Sequence, residues 1–192
     1  MLRDGNRVVV RRMRDGDESL VRDVFEGLGE ESRYRRFLAP VNELSEEDLR
    51  YLTEVDHRRH EAVIAIEPDS GTGLGVARYV LVPGDRESAE VSVAVVDDWQ
   101  GRGIGTELMT RLNQRAREQG VRRYTALVSP DNELMIGLLA EAGAERRPGE
   151  DSNLEFALPI PSNGLGERLR DALRGAAQRH PGHDFVSRLK RR

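Results

Sequence analysis

The sequence predicts a mixed α/β fold, a largely antiparallel sheet flanked by helices, and three observations lead to it. Glu61 to Ile66, Gly75 to Val82 and Ser88 to Val96 are apolar, β-branched runs separated by little more than the turns DSGTG and PGDRE. Turns that short reverse the chain and pair neighbouring strands antiparallel. The stretch VVDDWQGRGIGTELM then passes from strand through glycines into a helix, and Arg123 to Val128 follows as another strand. A strand-helix-strand unit of that kind pairs its strands in parallel. Finally, 192 residues with no cysteine suit one sizeable hydrophobic domain plus an appendage, with no disulfide framework.

Val8 to Met13 reads as the first strand, and Asp15 or Asp17 caps a helix that turns Leu20, Val21, Val24, Phe25 and Leu28 to one face. Ser32 to Leu38, SRYRRFL, is a second helical piece stopped by Pro40. Ser45-Glu46-Glu47-Asp48 supplies a cap and an acidic first turn to a third, with Leu49, Leu52 and Val55 inward. After the three sheet segments, a helix from Ile104 to Gln119 ends at Gly120, and SPDN caps another from Glu133 to Ala142 before Gly143. Asn153 to Leu158 is the last strand, and Pro159 and Pro161 mark the end of a domain over 1–160. In 161–192, Leu165, Leu169, Leu173 and Ala176 recur at helical spacing ahead of a basic, mobile RLKRR end.

The chemistry is concentrated in the glycine turn. Gly101, Gly103 and Gly105 leave backbone N–H groups unshielded at a helix start, where the first amides lack intrahelical partners and the macrodipole is positive. That combination binds anions, phosphate above all, and Arg102 can add a charge-assisted hydrogen bond. A P-loop would need Gly-Lys followed by Ser or Thr, which the chain lacks. A dinucleotide fingerprint would need Gly or Ala where Thr106 stands, and an acidic residue ending the next strand. What remains is QxxGxG, formed by Gln100, Gly103 and Gly105.

Composition narrows the function classes. The net charge of −4 on a chain that is 33% charged means mixed signs, so no field for nucleic acid follows. No apolar run has the length of a signal peptide or a membrane span, which points to a cytoplasmic protein without a membrane partner. His57 and His60 lack a third ligand at metal-binding spacing, so no metal is expected and both read as polar-packing or solvated side chains. Tyr34 and Phe37 read as core, and Glu61 as a strand-edge charge or a group sharing the acceptor groove. The oligomeric state is left open.

The QGRGIG turn and the order of elements around it resemble the GNAT family of N-acetyltransferases, an acyl-CoA N-acyltransferase fold with splayed central strands, over about Val8 to Leu158. SRYRRF, LSEEDLRYLTEVDH, GVARYV, AEVSVAV and DDWQGRGIG resemble the catalytic domain of bacterial protein lysine acetyltransferases of the Pat type. Relatives of that kind often carry a fused cyclic-nucleotide-binding or acyl-CoA-synthetase-like domain, for which this length leaves no room. The resemblance implies acetyl-CoA as cosubstrate, with the pyrophosphate held by Gln100, Gly101, Arg102, Gly103, Gly105 and Thr106. It implies that the backbone of Val95 pairs with pantetheine and polarises the thioester carbonyl, and that Asn132 contacts the pantetheine arm. Glu90, in AEVSVAV, matches the Pat-type catalytic glutamate and takes the role of general base. The family's usual tyrosine is missing from LMIGLLAEAGA, so solvent protonates the leaving thiolate, and Ala144 replaces the usual aromatic after Gly143. The implied acceptor is a protein lysine; a small amine, or a non-catalytic acyl-CoA-sensing module, are the alternatives.

Overall fold

Seven strands build one sheet in the order β1-β2-β3-β4-β5-β7-β6. They are β1 (Val9–Arg12), β2 (His60–Ile66), β3 (Gly73–Leu81), β4 (Ser88–Val95), β5 (Arg123–Val128), β6 (Glu145–Pro148) and β7 (Leu154–Pro159). Among the described residues the helices α1 (Glu18–Glu26), α2 (Glu30–Phe37), α3 (Glu46–Thr53), α4 (Ile104–Glu118) and α5 (Glu133–Glu141) accompany them, and 167–172 is helical as well. The computed structural model describes residues 5–148, 153–162 and 164–172. None of the helices in these residues is long and apolar enough to cross a membrane.

The short turns act as expected, joining β2, β3 and β4 antiparallel, with Gly75 opposite Ala65 on one side and Val95 on the other. β4 and β5 form the parallel pair, and only over Ser88–Glu90 against Arg123–Thr125. Beyond Glu90 and Thr125 they part. Val91–Val95 stay paired with β3 and Ala126–Val128 with β7, so two inner edges face each other across a V-shaped opening.

Alternation along the strands decides what packs where. Val91, Val93 and Val95 lie against the larger core, which holds Leu108, Leu112 and Ala116 of α4 and Tyr79 of β3. Each such buried side chain contributes roughly 1.5–3 kcal/mol relative to exposure. On the opposite sheet face, Ala62 and Ile64 of β2 meet Val21 of α1 and Leu49 of α3. The Ser45 capping box forms in full, its hydroxyl accepting from Asp48 N while Asp48 accepts from Ser45 N, worth about 1 kcal/mol.

Several expectations change. Asp17 precedes α1 but does not cap it with its side chain; the carboxylate is held by both terminal nitrogens of Arg11, at 2.6 and 2.7 Å, and by Arg14 N. β6 has no counterpart in the sequence reading: it is an edge strand on which Glu145, Arg146 and Arg147 are exposed, so no apolar alternation marks it. Tyr34 is 41% exposed, not core. Leu165, Leu169 and Ala172 join the larger core, so 164–172 packs on the sheet domain. Leu173, Ala176 and the basic end lie outside the described residues.

Candidate active site

The glycine turn follows a single 3-10 turn, Asp97–Trp99, that ends β4. Gly103 is the residue before α4 and sits at φ 100, ψ 2, a left-handed conformation that costs an L-residue roughly 1–2 kcal/mol. The first hydrogen bond of the helix is Glu107 N to Gly103 O at 3.1 Å, so the earlier amides of the turn have no intrahelical acceptor. Gly105 lies in the first helical turn, with only Val95 within 4 Å of where a Cβ would stand, and Thr106 follows it. Gln100 braces the turn: its amide donates to Val95 O and to Asp97 Oδ1, both at 3.0 Å. Arg102 donates to Asp98 O at 2.9 Å and lies 4.7 Å above the Trp99 ring. The turn is also tied to the α1–α2 connection, through Asp97 N to Gly27 O and Gly29 N to Asp97 Oδ2.

The opening between β4 and β5 leads away from this turn. Val96 N donates to Leu74 O and Val82 N to Ser88 O, so even-numbered residues of β4 direct their main chain at β3. The odd-numbered Val91, Val93 and Val95 therefore turn their main chain toward the opening; Gln100 takes Val95 O, which leaves the Val93 groups and Val95 N–H as an edge suited to an extended polar ligand. A cavity of about 140 Å³ lies there, lined among others by Val91, Val93, Met109, Ala126, Asn132 and Leu138. Asn132 caps α5, its Oδ1 accepting from Met135 N at 3.1 Å, which leaves its NH₂ group for the opening.

Glu90 stands at the vertex, the last β4 residue paired with β5. It lines a second cavity of about 300 Å³ on the opposite sheet face, roofed by α2 and α3. Ser92 lines both cavities, and Arg36 of α2 reaches both as well. Within the second cavity Arg78 lies between Tyr51 and His60. Arg78 is only 5% exposed.

A family model for the GNAT acetyltransferases matches residues 25–144, most of the chain. The chain belongs to the GNAT acetyltransferase family. As a GNAT protein it is an acyltransferase, similar to an acetyltransferase of Pseudomonas aeruginosa at 29% identity over 83% of this chain and 87% of the relative. The acetyltransferase Pat of Mycolicibacterium smegmatis is 39% identical over 114 residues, 59% of this chain, which spans only 34% of that protein. The solved GNAT domain of S. lividans PAT superposes with a TM-score of 0.74 at 31% identity, over 83% of this chain and 94% of that one.

The GNAT framework gives the remaining polar residues other duties than the sequence suggested. Glu61 does not line the cavity beside Glu90, and its strand lies inside the sheet between β1 and β3. Its buried carboxylate takes hydrogen bonds from Arg115 of α4 at 3.0 Å and Arg12 of β1 at 3.4 Å and pairs with His57 Nδ1 at 2.6 Å, tying α4 to the sheet. His57 and His60 are polar-packing side chains, and among the described residues no cluster of three or more His, Cys, Asp or Glu has metal-binding geometry. Arg36 and Arg78 were missed, although Arg78 alternates with Val76 and Val80, an inward charge the pattern could have flagged.

His60 gives this GNAT domain a measurable pH signature. Burial first, and the Arg78 guanidinium second, push its pKa down from 6.5 to about 4. The folded ring stays neutral while the unfolded one protonates, so its stabilising contribution is complete above 6.5 and lost progressively as pH falls toward 4. Thermal midpoints measured from pH 7 to 5 are expected to fall, and His60→Gln to flatten that fall.

Proposed function

We propose that this chain is an acetyl-CoA-dependent N-acetyltransferase acting on a primary amine by direct attack in a ternary complex, with Glu90 as general base. The observation that carries the proposal is the place of Glu90 at the strand vertex, lining one cavity where the donor opening begins on the other side. Acetyl-CoA supplies an acyl group activated as a thioester. The residues present fit such a donor: Val91, Val93 and Val95 offer main-chain groups to an amide-bearing arm, and Asn132 adds its NH₂ group. The amides of the turn from Gly101 to Thr106, with Arg102, offer hydrogen bonds to a pyrophosphate, while Gln100 holds that turn in shape.

An alkylamine is protonated at neutral pH, with a pKa near ~10.4, and must lose a proton before attack. Among the described residues no hydrogen bond, and no ion pair within 4 Å, engages the Glu90 carboxylate, so it is available for that proton. The resemblance to Pat-type catalytic domains supports a protein lysine as the acceptor. The roofed cavity beside Glu90 supports the second reading, a small amine.

Calorimetric titration with acetyl-CoA, paired with detection of free coenzyme A on amine addition, tests the proposal. Gly103→Ala is expected to weaken acetyl-CoA binding by roughly 10-fold, the equivalent of about 1.4 kcal/mol of backbone strain at the turn. No binding by the unaltered protein would remove the donor site, and binding without turnover on any amine would favour a sensing module.

A further inference from the structure

The cavity beside Glu90 contains a charge that the protein itself leaves uncompensated. Arg78 projects from β3 on the face shared by Ser92 and Glu90, and Arg36 approaches from α2. Among the described residues the hydrogen bonds and ring contact of the Arg78 guanidinium go to neutral groups: the His60 ring nitrogen, the Tyr51 carbonyl at 3.4 Å and the Tyr51 ring at 5.1 Å. Among the described residues neither arginine has a carboxylate within 4 Å. Arg36 rests 5.1 Å over the Phe37 ring.

Burying a guanidinium without a counter-ion is costly, and placing a second one beside it adds repulsion. Burial, with Arg36 as the next cause, pulls the Arg78 pKa down to about 10. Arg36 is lowered as well, by burial, against the opposing pull of Glu90. The other acid of the cavity, Asp48, is committed to capping α3 through Ser45 N and Ser45 Oγ. That leaves Glu90 alone against two cations. The wall therefore presents an anion at the strand vertex and a pair of guanidiniums beyond it, the complement of a ligand with an ammonium at one end and an oxyanion at the other. Arginine's planar fork suits a carboxylate in particular.

We propose that Arg36 and Arg78 form an anion subsite of the acceptor cavity, so that the amine acetylated by this chain carries a carboxylate. The inference rests on reading that cavity as the acceptor's. The carboxylate belongs either to a free amino acid or to an acidic residue beside a lysine, and the test separates these sources.

Acetyl-CoA turnover is measured on pairs that differ in the carboxylate, with kcat/KM referred to the unprotonated amine because amidation also lowers the pKa of the ammonium. L-leucine is compared with L-leucinamide, γ-aminobutyrate with its amide, and an N-acetylated, C-amidated Glu-Lys-Glu peptide with Gln-Lys-Gln. At least one pair is expected to favour the carboxylate member by about 10-fold or more in kcat/KM, the weight of a charge-assisted hydrogen bond. In Arg78→Gln and, independently, Arg36→Gln, that ratio should collapse toward one, with acetyl-CoA affinity reporting that each variant is folded. Preference within the free amines assigns a small acceptor, and preference confined to the peptide assigns an acidic lysine site. Equal rates within every pair overturn the subsite while leaving acetyl transfer standing. Absence of free coenzyme A from all pairs removes the acceptor reading and the subsite together.

Discussion

Glu90→Gln is expected to lower kcat/KM for amine acetylation by about 10²–10⁴-fold, the range for a positioned general base. Glutamine keeps the shape of the side chain and removes its basicity, so acetyl-CoA affinity should survive. The deficit should narrow as pH rises toward the amine's own pKa of roughly 10.4, because solution then supplies the deprotonated nucleophile. A pH profile of kcat/KM for both proteins reads this directly. A variant that binds the donor and retains full activity would take Glu90 out of the reaction.

The second large effect is on stability. Glu61→Gln removes the one anion shared by His57, Arg12 and Arg115, and is expected to lower the unfolding free energy by about 3 kcal/mol. In a chain of this size that corresponds to roughly 6–12 °C in Tm. Burial pushes the Glu61 carboxyl up, but the His57 and Arg115 hydrogen bonds and the charges of His57 and Arg12 outweigh it, and the pKa lies below its ordinary 4.5. The stabilisation is therefore present above about pH 4.5 and lost as pH falls through the lower folded value. Denaturant titrations at pH 7 and pH 3.5 should show the gap between the two proteins shrinking in acid.

What was legible in the sequence was whatever rests on local pattern. β2, β3 and β4 declared themselves through apolar runs and short turns, α3 through Ser45 and its acidic first turn, and the turn into α4 through glycines at a strand-to-helix junction. The roles proposed for Glu90 and Val95 rest on resemblance, since a lone glutamate or valine on a strand carries no chemical signature. β6 escaped because an exposed edge strand need not alternate. Arg36 and Arg78 escaped for another reason: they lie on α2 and β3, 42 residues apart in the chain, and meet only when helix α2 closes over the sheet. A site assembled from two distant elements has no spacing to read.

The hydrogen bonds between Asp97 and the backbone of Gly27 and Gly29 have a thermodynamic meaning beyond bracing. Gly29 is the residue immediately before α2, the helix that carries Arg36 to the cavity beside Glu90, while Asp97 begins the approach to the glycine turn. With the donor at that turn and the acceptor in that cavity, as proposed above, these bonds would join the two sites, and linkage would be symmetrical: the factor by which acetyl-CoA tightens acceptor binding would equal the factor by which the acceptor tightens acetyl-CoA.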